Sequence, residues 1–298
     1  MQRNHVLIHR LTLLVIMLAL ISASVGLFYS TGGTPLEVMN QYGDPIRLYG
    51  DGIYARDSYF RAPIFKGTDL AILLILVPAL IYTLIRDVRK PTVLSRLMLA
   101  SFLGVSLYYA SAVAFGVQYN PLHLVYIGLF STSLFGLIAS LTSISIPRLE
   151  AKMAAMPVIR GVPAFLIITG MALGLAWLPD ILGAMLSGTS LKLIEHYTTE
   201  VTYVLDLGVI IPLCFAGFYY LRSKKGPGYI IISLIMTLCA VIGVILPLQT
   251  VFQMAAGIQI PLPVMITKIA SFLILAVFAT FFQYQLIRQL HQFDDMEI

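Results

Sequence analysis

Charge is what this chain has least of. Lysine, arginine, aspartate and glutamate together make up 11% of its 298 residues, against about a quarter in a soluble domain of similar size. A water-soluble globule is therefore excluded. Cysteine is nearly absent too. Cys214 and Cys239 both fall within apolar runs, where they read as small apolar fillers rather than as a disulfide. Tryptophan occurs once, as Trp177. No Cys/His zinc spacing, glycine-rich phosphate loop or Gly-x-Ser-x-Gly elbow is present, so nothing points to a particular cofactor. The net charge of +5 would suit nucleic acid, but membrane topology accounts for it better, and no nucleic-acid partner is expected.

Hydrocarbon is what the chain has in abundance: 59% of it is hydrophobic and its mean hydropathy is +0.90. The apolar residues come in runs of about 18 to 25, long enough to cross a bilayer at roughly 1.5 Å per residue. Eight spanning helices are expected, near 10–29, 69–86, 93–117, 122–146, 161–178, 201–221, 229–248 and 263–289. The first has the basic start of a secretory signal, but its apolar stretch continues through Val25–Tyr29 and reads as an uncleaved helix. With both termini placed in the cytoplasm, thirteen of the nineteen Lys and Arg residues fall on that side and five outside, with Lys268 inside a span. That bias orients the protein. A plasma (inner) membrane of a prokaryote is the expected location, with membrane lipids as neighbours.

The chain also says nearly the same thing twice. Thr68-Asp69-Leu70 opens an apolar run that carries Pro78 and ends in the basic stretch Arg86–Lys90. Leu205-Asp206-Leu207 opens another that carries Pro212 and ends in Arg222–Lys225. Gly116-Val-Gln118 before Pro121-Leu122 is echoed by Gly257-Ile-Gln259 before Pro261-Leu262. Asp206 follows Asp69 by 137 residues and Gln259 follows Gln118 by 141. Such an offset suggests tandem duplication. The expected fold is an all-α integral membrane protein of two four-helix repeats, residues 1–150 and 151–298. An even number of spans per half makes the repeats parallel, related by a pseudo-two-fold along the membrane normal. Helices 2 and 6 should then face one another, bringing Asp69 opposite Asp206. The mid-helix prolines read chiefly as packing kinks.

A lone charge inside a span must pair, snorkel or line water. Asp69, Asp206 and Lys268 fall at similar shallow depth on the outer side. They form either an ion pair joining helices or a ligand site. If helix 6 extends outward, His196, Glu200 and Tyr203 share one face by the i, i+4, i+7 rule. His123 sits at the top of helix 4, and Gln249, Thr250 and Gln253 cluster at the outer end of helix 7. Together these residues describe a polar funnel narrowing from the outside. Asp69, Glu200 and Asp206 set against Lys268 leave it at about −2, which favours cations, protons or amine-bearing molecules.

The long outer loop, 30–68, is either an ordered cap or a segment lying on headgroups, and a protein partner could dock there. The charge-free stretch Val251–Leu262 is expected to pack into the protein. Three functions follow: a binding protein or carrier for a small cationic solute, an outer-face enzyme using Glu200 and His196, or a non-catalytic partner or sensor. His196-x-x-x-Glu200 could hold a divalent metal only with further ligands, such as Asp206, His123 or Asp57. A solvated helix mouth would carry the same letters.

Overall fold

The structure, a computed structural model, describes residues 2–153, 158–191 and 193–291, and of residues 2–4, 152, 153, 264, 267 and 268 only the backbone. Among them are eight helices long and apolar enough to cross a membrane. They are α1 (Gln2–Phe28), α2 (Ala62–Arg89), α3 (Val93–Gly116), α4 (His123–Thr142), α5 (Val162–Ser187), α6 (Val201–Arg222) and α7 (Gly226–Ala255). The last, α8, starts with Leu262–Val264 and passes through Met265–Ala270 into Ser271–His291. A short helix, Ile146–Met153, lies between α4 and α5.

Four helices run well past the expected bounds, α1 beginning at Gln2 rather than near residue 10. The first turns of α2 carry Lys66 and Thr68, which lower the local hydropathy and conceal the helix. In place, Thr68 Oγ1 donates to Ile64 O at 2.9 Å and Lys66 Nζ to Tyr49 Oη at 3.4 Å. α5 and α7 likewise run on to Ser187 and Ala255.

α1 packs on α2 and α4, and α3 packs on the same two, closing a ring of four. In the second half α5 packs on α6, α6 on α7, α7 on α8, and α8 returns to α5. The rings meet where α7 lies against α2 and α3, and where α3 meets the start of α6. The junction is thus built on α3 and α7, not on α2 facing α6. Gly67 permits part of it: a Cβ there would come within 2.6 Å of Gln249 Cα, so only hydrogen lets the α2 and α7 backbones approach this closely.

Pro78 and Pro212 each follow a widened π turn. The Val77 N–H reaches back five residues to Ile72 O, and the Ile211 N–H to Asp206 O. Widening the turn just before a proline accommodates a residue that cannot donate its own amide. Pro212 follows Pro78 by 134 residues while Asp206 follows Asp69 by 137. Asp206 therefore stands three residues, nearly one turn, closer to its proline than Asp69 does.

The long loop is an ordered cap. Leu36–Met39 pairs antiparallel with Pro45–Leu48, and the turn between them is closed by Asn40 Oδ1 accepting from the Tyr42 and Asp44 amides. The rest folds inward, burying Tyr54 completely. The cap belongs to the first ring but clasps the second. Asn40 and Gln41 donate to the carbonyls of Glu195 and Tyr197 at 3.0 and 3.3 Å. Tyr59 Oη donates to Ala256 O at 2.9 Å, and Gln253 Nε2 to Phe60 O at 3.2 Å. The charge-free stretch is accordingly divided: Gln253 is buried beneath the cap, whereas Val251 and Met254 are exposed.

At the opposite end the first ring is locked by a buried ion pair. Arg96, on α3, meets Asp87, on α2, through Nε–Oδ1 at 3.1 Å and Nη2–Oδ2 at 2.8 Å, both side chains fully buried. Arg96 also donates to Ser143 Oγ and His5 Nδ1, each at 3.0 Å, and His9 Nε2 lies 2.8 Å from Asp87 Oδ2. Every polar atom of the pair is engaged, the condition under which a buried ion pair holds. Arg96→Met leaves Asp87 uncompensated in the interior. It should cost about 3–5 kcal/mol, read as a large fall in the thermal unfolding midpoint of detergent-purified protein. A midpoint within a degree of wild type would remove this lock from the account.

Candidate functional site

Tyr108 and Tyr109 are neighbours on α3 and project on different sides of it, as consecutive helical residues must. Tyr109 Oη donates to Asp69 Oδ1 at 2.8 Å, inside the first ring. Tyr108 Oη donates to Asp206 Oδ1 at 2.9 Å, across the junction into the second. One helix therefore supplies a hydroxyl to each intramembrane carboxylate, and the two aspartates are separated by it instead of facing each other.

Asp69 is sealed. Its second oxygen accepts from cap residue Tyr54 at 2.6 Å, and the carboxyl is fully buried. Gly26 on α1 makes the space, since a Cβ there would lie 2.0 Å from Asp69 Oδ2.

Asp206 is different. Its second oxygen accepts from Trp177 Nε1 at 2.8 Å, and it borders a cavity of about 260 Å³ between the rings. Both donors are neutral, and Asp206 has no cationic partner among the described residues. The walls are Phe65 and Thr68 of α2, Tyr108 and Tyr109 of α3, Trp177 of α5, Ile242 and Gln249 of α7, and Phe272 of α8. Trp177 stacks on Tyr203, with ring centroids 4.7 Å apart, and on Phe272, at 6.5 Å. Gln249 Nε2 donates to Thr68 Oγ1 at 2.7 Å.

Toward the cap this space meets a second chamber of about 450 Å³, which Trp177, Leu246, Gln249 and Phe272 also line. Glu200, Tyr203, Gln253 and Phe60 complete its inner wall. Glu200 is not a free charge: Arg61 of the cap forms an ion pair with it. The same guanidinium donates to Leu193 O at 3.1 Å and lies 4.1 Å from the Tyr197 ring centre.

The residues singled out from the sequence thus divide. Asp206, Glu200, Tyr203, Gln249 and Gln253 come together around the two chambers. Asp69 is close by but closed off. His123 lies elsewhere, with its ring 5.6 Å from that of Tyr119. The shared face of His196, Glu200 and Tyr203 does not form, because α6 begins at Val201 and the preceding residues are not helical. His196 Nε2 instead sits 3.0 Å from Arg56 O, and the positive φ of Glu195 turns the chain there. Among the described residues no three His, Cys, Asp or Glu side chains form a metal-binding group. Lys268 lies in the widened turn Met265–Ala270, and its side chain is outside those described. Arg61, Trp177, Tyr108 and Phe272 were missed. A lone tryptophan and a Tyr-Tyr pair within apolar runs were visible signals; for Arg61 the sequence carried none.

The charge of the site changes accordingly. Among the described residues, Arg61 offsets Glu200 and Asp69 is shut away, so the negative character of the cavity beside them rests on Asp206. Fold and cavity together define the class: a multi-pass, mostly helical membrane protein with a cavity where two four-helix rings meet. Comparison with protein-family models, with curated proteins and with solved structures finds no match for the chain.

The cap docks through a titratable group. Asp57 Oδ1 accepts from the Gln118 amide at 3.0 Å and from Tyr197 Oη at 2.9 Å, while Oδ2 has no partner among the described residues. Burial pushes the Asp57 carboxyl from 3.8 up to about 7, against the lowering effect of its donors and of Arg61. Between those values the folded protein keeps a proton that the unfolded chain has released, so stability declines as pH rises to about 7 and is level above it. Burial of His196 lowers its pKa, which works in the opposite sense below its ordinary 6.5. Proteolysis of the cap should therefore be faster at pH 8 than at pH 5.5. Burial also raises the pKa of neighbouring Glu195, in the same sense as Asp57, so Asp57→Asn should shrink that difference, and an unchanged pH slope in the variant would exclude Asp57 as its source.

Proposed function

We propose that this protein binds a small cationic or amine-bearing solute in the cavity between its rings and acts as a membrane carrier or receptor for it, with the cap outside. One observation carries the reading: a carboxylate held by two neutral donors borders an aromatic-walled cavity. No cation stands beside it among the described residues; a buried carboxylate left so is costly, and a positively charged ligand would meet it. Trp177, Tyr203, Tyr108 and Phe272 add ring faces that attract cations and apolar groups alike.

A parallel repeat is part of the same proposal. Gln249 follows Tyr108 by 141 residues, the interval that separates Gln118 from Gln259. Tyr108 leaves the first ring to bond Asp206 on α6, and Gln249 leaves the second to bond Thr68 on α2. Two exchanged contacts of this kind are what a pseudo-two-fold through α3 and α7 would generate. They support the division into 1–150 and 151–298, and repeat interfaces are where carriers commonly hold their ligands.

The two aspartates should behave differently. Purified protein screened by thermal shift against short alkylamines and quaternary ammonium salts should be stabilised, by a few degrees at saturating ligand. Asp206→Asn should lose that stabilisation. Asp69→Asn should retain it from a lower starting midpoint, because Asp69 anchors the cap and does not line the cavity. Loss of the response in a folded Asp69→Asn protein, with Asp206→Asn unaffected, would place the ligand elsewhere.

A further inference from the structure

The two chambers differ from an aqueous vestibule in what lines them and in where they open. Around Asp206 the walls are chiefly apolar (Leu173, Leu238, Ile242, Ile245 and Phe272), and the outer chamber continues this with Leu246, Ile260 and Ile269. A hydrated ion or a polar metabolite would leave most of that surface unmatched. On the cap side the space is roofed. Arg61 bridges to Glu200 and Leu193, Gln253 is tied to Phe60, and α2 and α7 are in backbone contact at Gly67.

The rim of the outer chamber has exposed residues at Asp180 on α5 and at Gln259 and Pro261, which lead into α8. The flanks beside it are hydrocarbon. Leu175, Leu182 and Leu186 of α5 are 73%, 51% and 89% exposed, and Leu262 and Ile266 of α8 are 65% and 58% exposed. Helix surfaces of this kind belong against lipid chains. Lower down, the gap between α5 and α8 is closed by Phe165 on Phe282, with ring centroids 5.7 Å apart. The mouth is thus confined to the cap end, between two lipid-facing helices.

Resting on the binding reading above, we propose that the ligand is a cationic amphiphile taken sideways from the outer leaflet. Its ammonium group is seated against Asp206 and its hydrocarbon chain lies through the outer chamber and out between α5 and α8. The chemical class is a single-chain amine or quaternary ammonium lipid. Chambers of about 260 and 450 Å³ are of the size that ligand pockets have, enough for a headgroup and the first part of a chain. The hydrocarbon supplies most of the favourable contact, and the carboxylate selects the charge.

Trp177 is the only tryptophan and lines both chambers, so its fluorescence reports occupancy directly. The intact protein in phosphatidylcholine nanodiscs is titrated with trimethylammonium salts bearing butyl, octyl or dodecyl chains. Tetramethylammonium and dodecanol serve as controls. Trp177 should respond to the dodecyl salt at a total concentration about a hundredfold or more below that needed for tetramethylammonium, as burial of several methylenes requires. Dodecanol should respond only at a concentration at least tenfold above that of the dodecyl salt, and Asp206→Asn should weaken the dodecyl response at least tenfold. Equal response to tetramethylammonium and the dodecyl salt, lost in Asp206→Asn, overturns the amphiphile while leaving cation binding intact. Equal response to dodecanol and the dodecyl salt overturns the role of Asp206. No response to any probe overturns both readings.

Discussion

A carboxylate within a membrane-spanning bundle persists where donors reach its oxygens, and the neighbouring hydroxyls of Tyr108 and Tyr109 meet that need on two sides of one helix. Much of the arrangement depends on this. Tyr109 and Tyr54 hold Asp69 from α3 and from the cap, so the same carboxylate fastens the cap to the first ring. Tyr108 and Trp177 hold Asp206 from α3 and α5, which ties the first ring to the second. Gly26 leaves the space that the first of these contacts needs. Two polar groups otherwise costly in an apolar interior thereby fix the register of cap, first ring and second ring.

The halves share an order of packing but differ in what they do with it. In the first, the Arg96–Asp87 pair closes one end and Asp69 with its tyrosines the other, so the ring is cross-linked at both ends by satisfied polar groups. In the second, Asp206 sits in a widened turn before Pro212 and borders open space. The three-residue slip of Asp206 toward its proline accompanies this difference. The ring with the sealed carboxylate is braced; the ring with the accessible one is hollow. The proposed binding role uses the hollow half, with the braced half and its cap as roof.

Much of this architecture was legible beforehand. Eight apolar runs, the basic ends of the spans and the presence of Asp69 and Asp206 within spans could all be read from residue order, because each follows from transferring a segment or a charge into hydrocarbon. The first turns of α2 were not legible, since Lys66 and Thr68 lower the hydropathy of a helix whose polar groups find partners only after folding. Arg61 read as one more outer-loop charge, yet it pairs with Glu200, 139 residues away. His196 and Glu200 looked like one helical face because their spacing allowed it, and the backbone at Glu195 turns the chain before a helix can form.

The sequence by itself determined that the chain belongs in a membrane, where its spans run and which ionisable groups lie within them. Those are properties of a residue type and its near neighbours, set by transfer free energies that act locally. Tertiary structure alone decided which carboxylate is sealed and which borders a cavity, and which charge Arg61 offsets. It also decided that α3 and α7, not α2 and α6, form the junction. Each of these depends on which distant side chains converge within hydrogen-bond range, and that is settled by the packing of one helix surface on another.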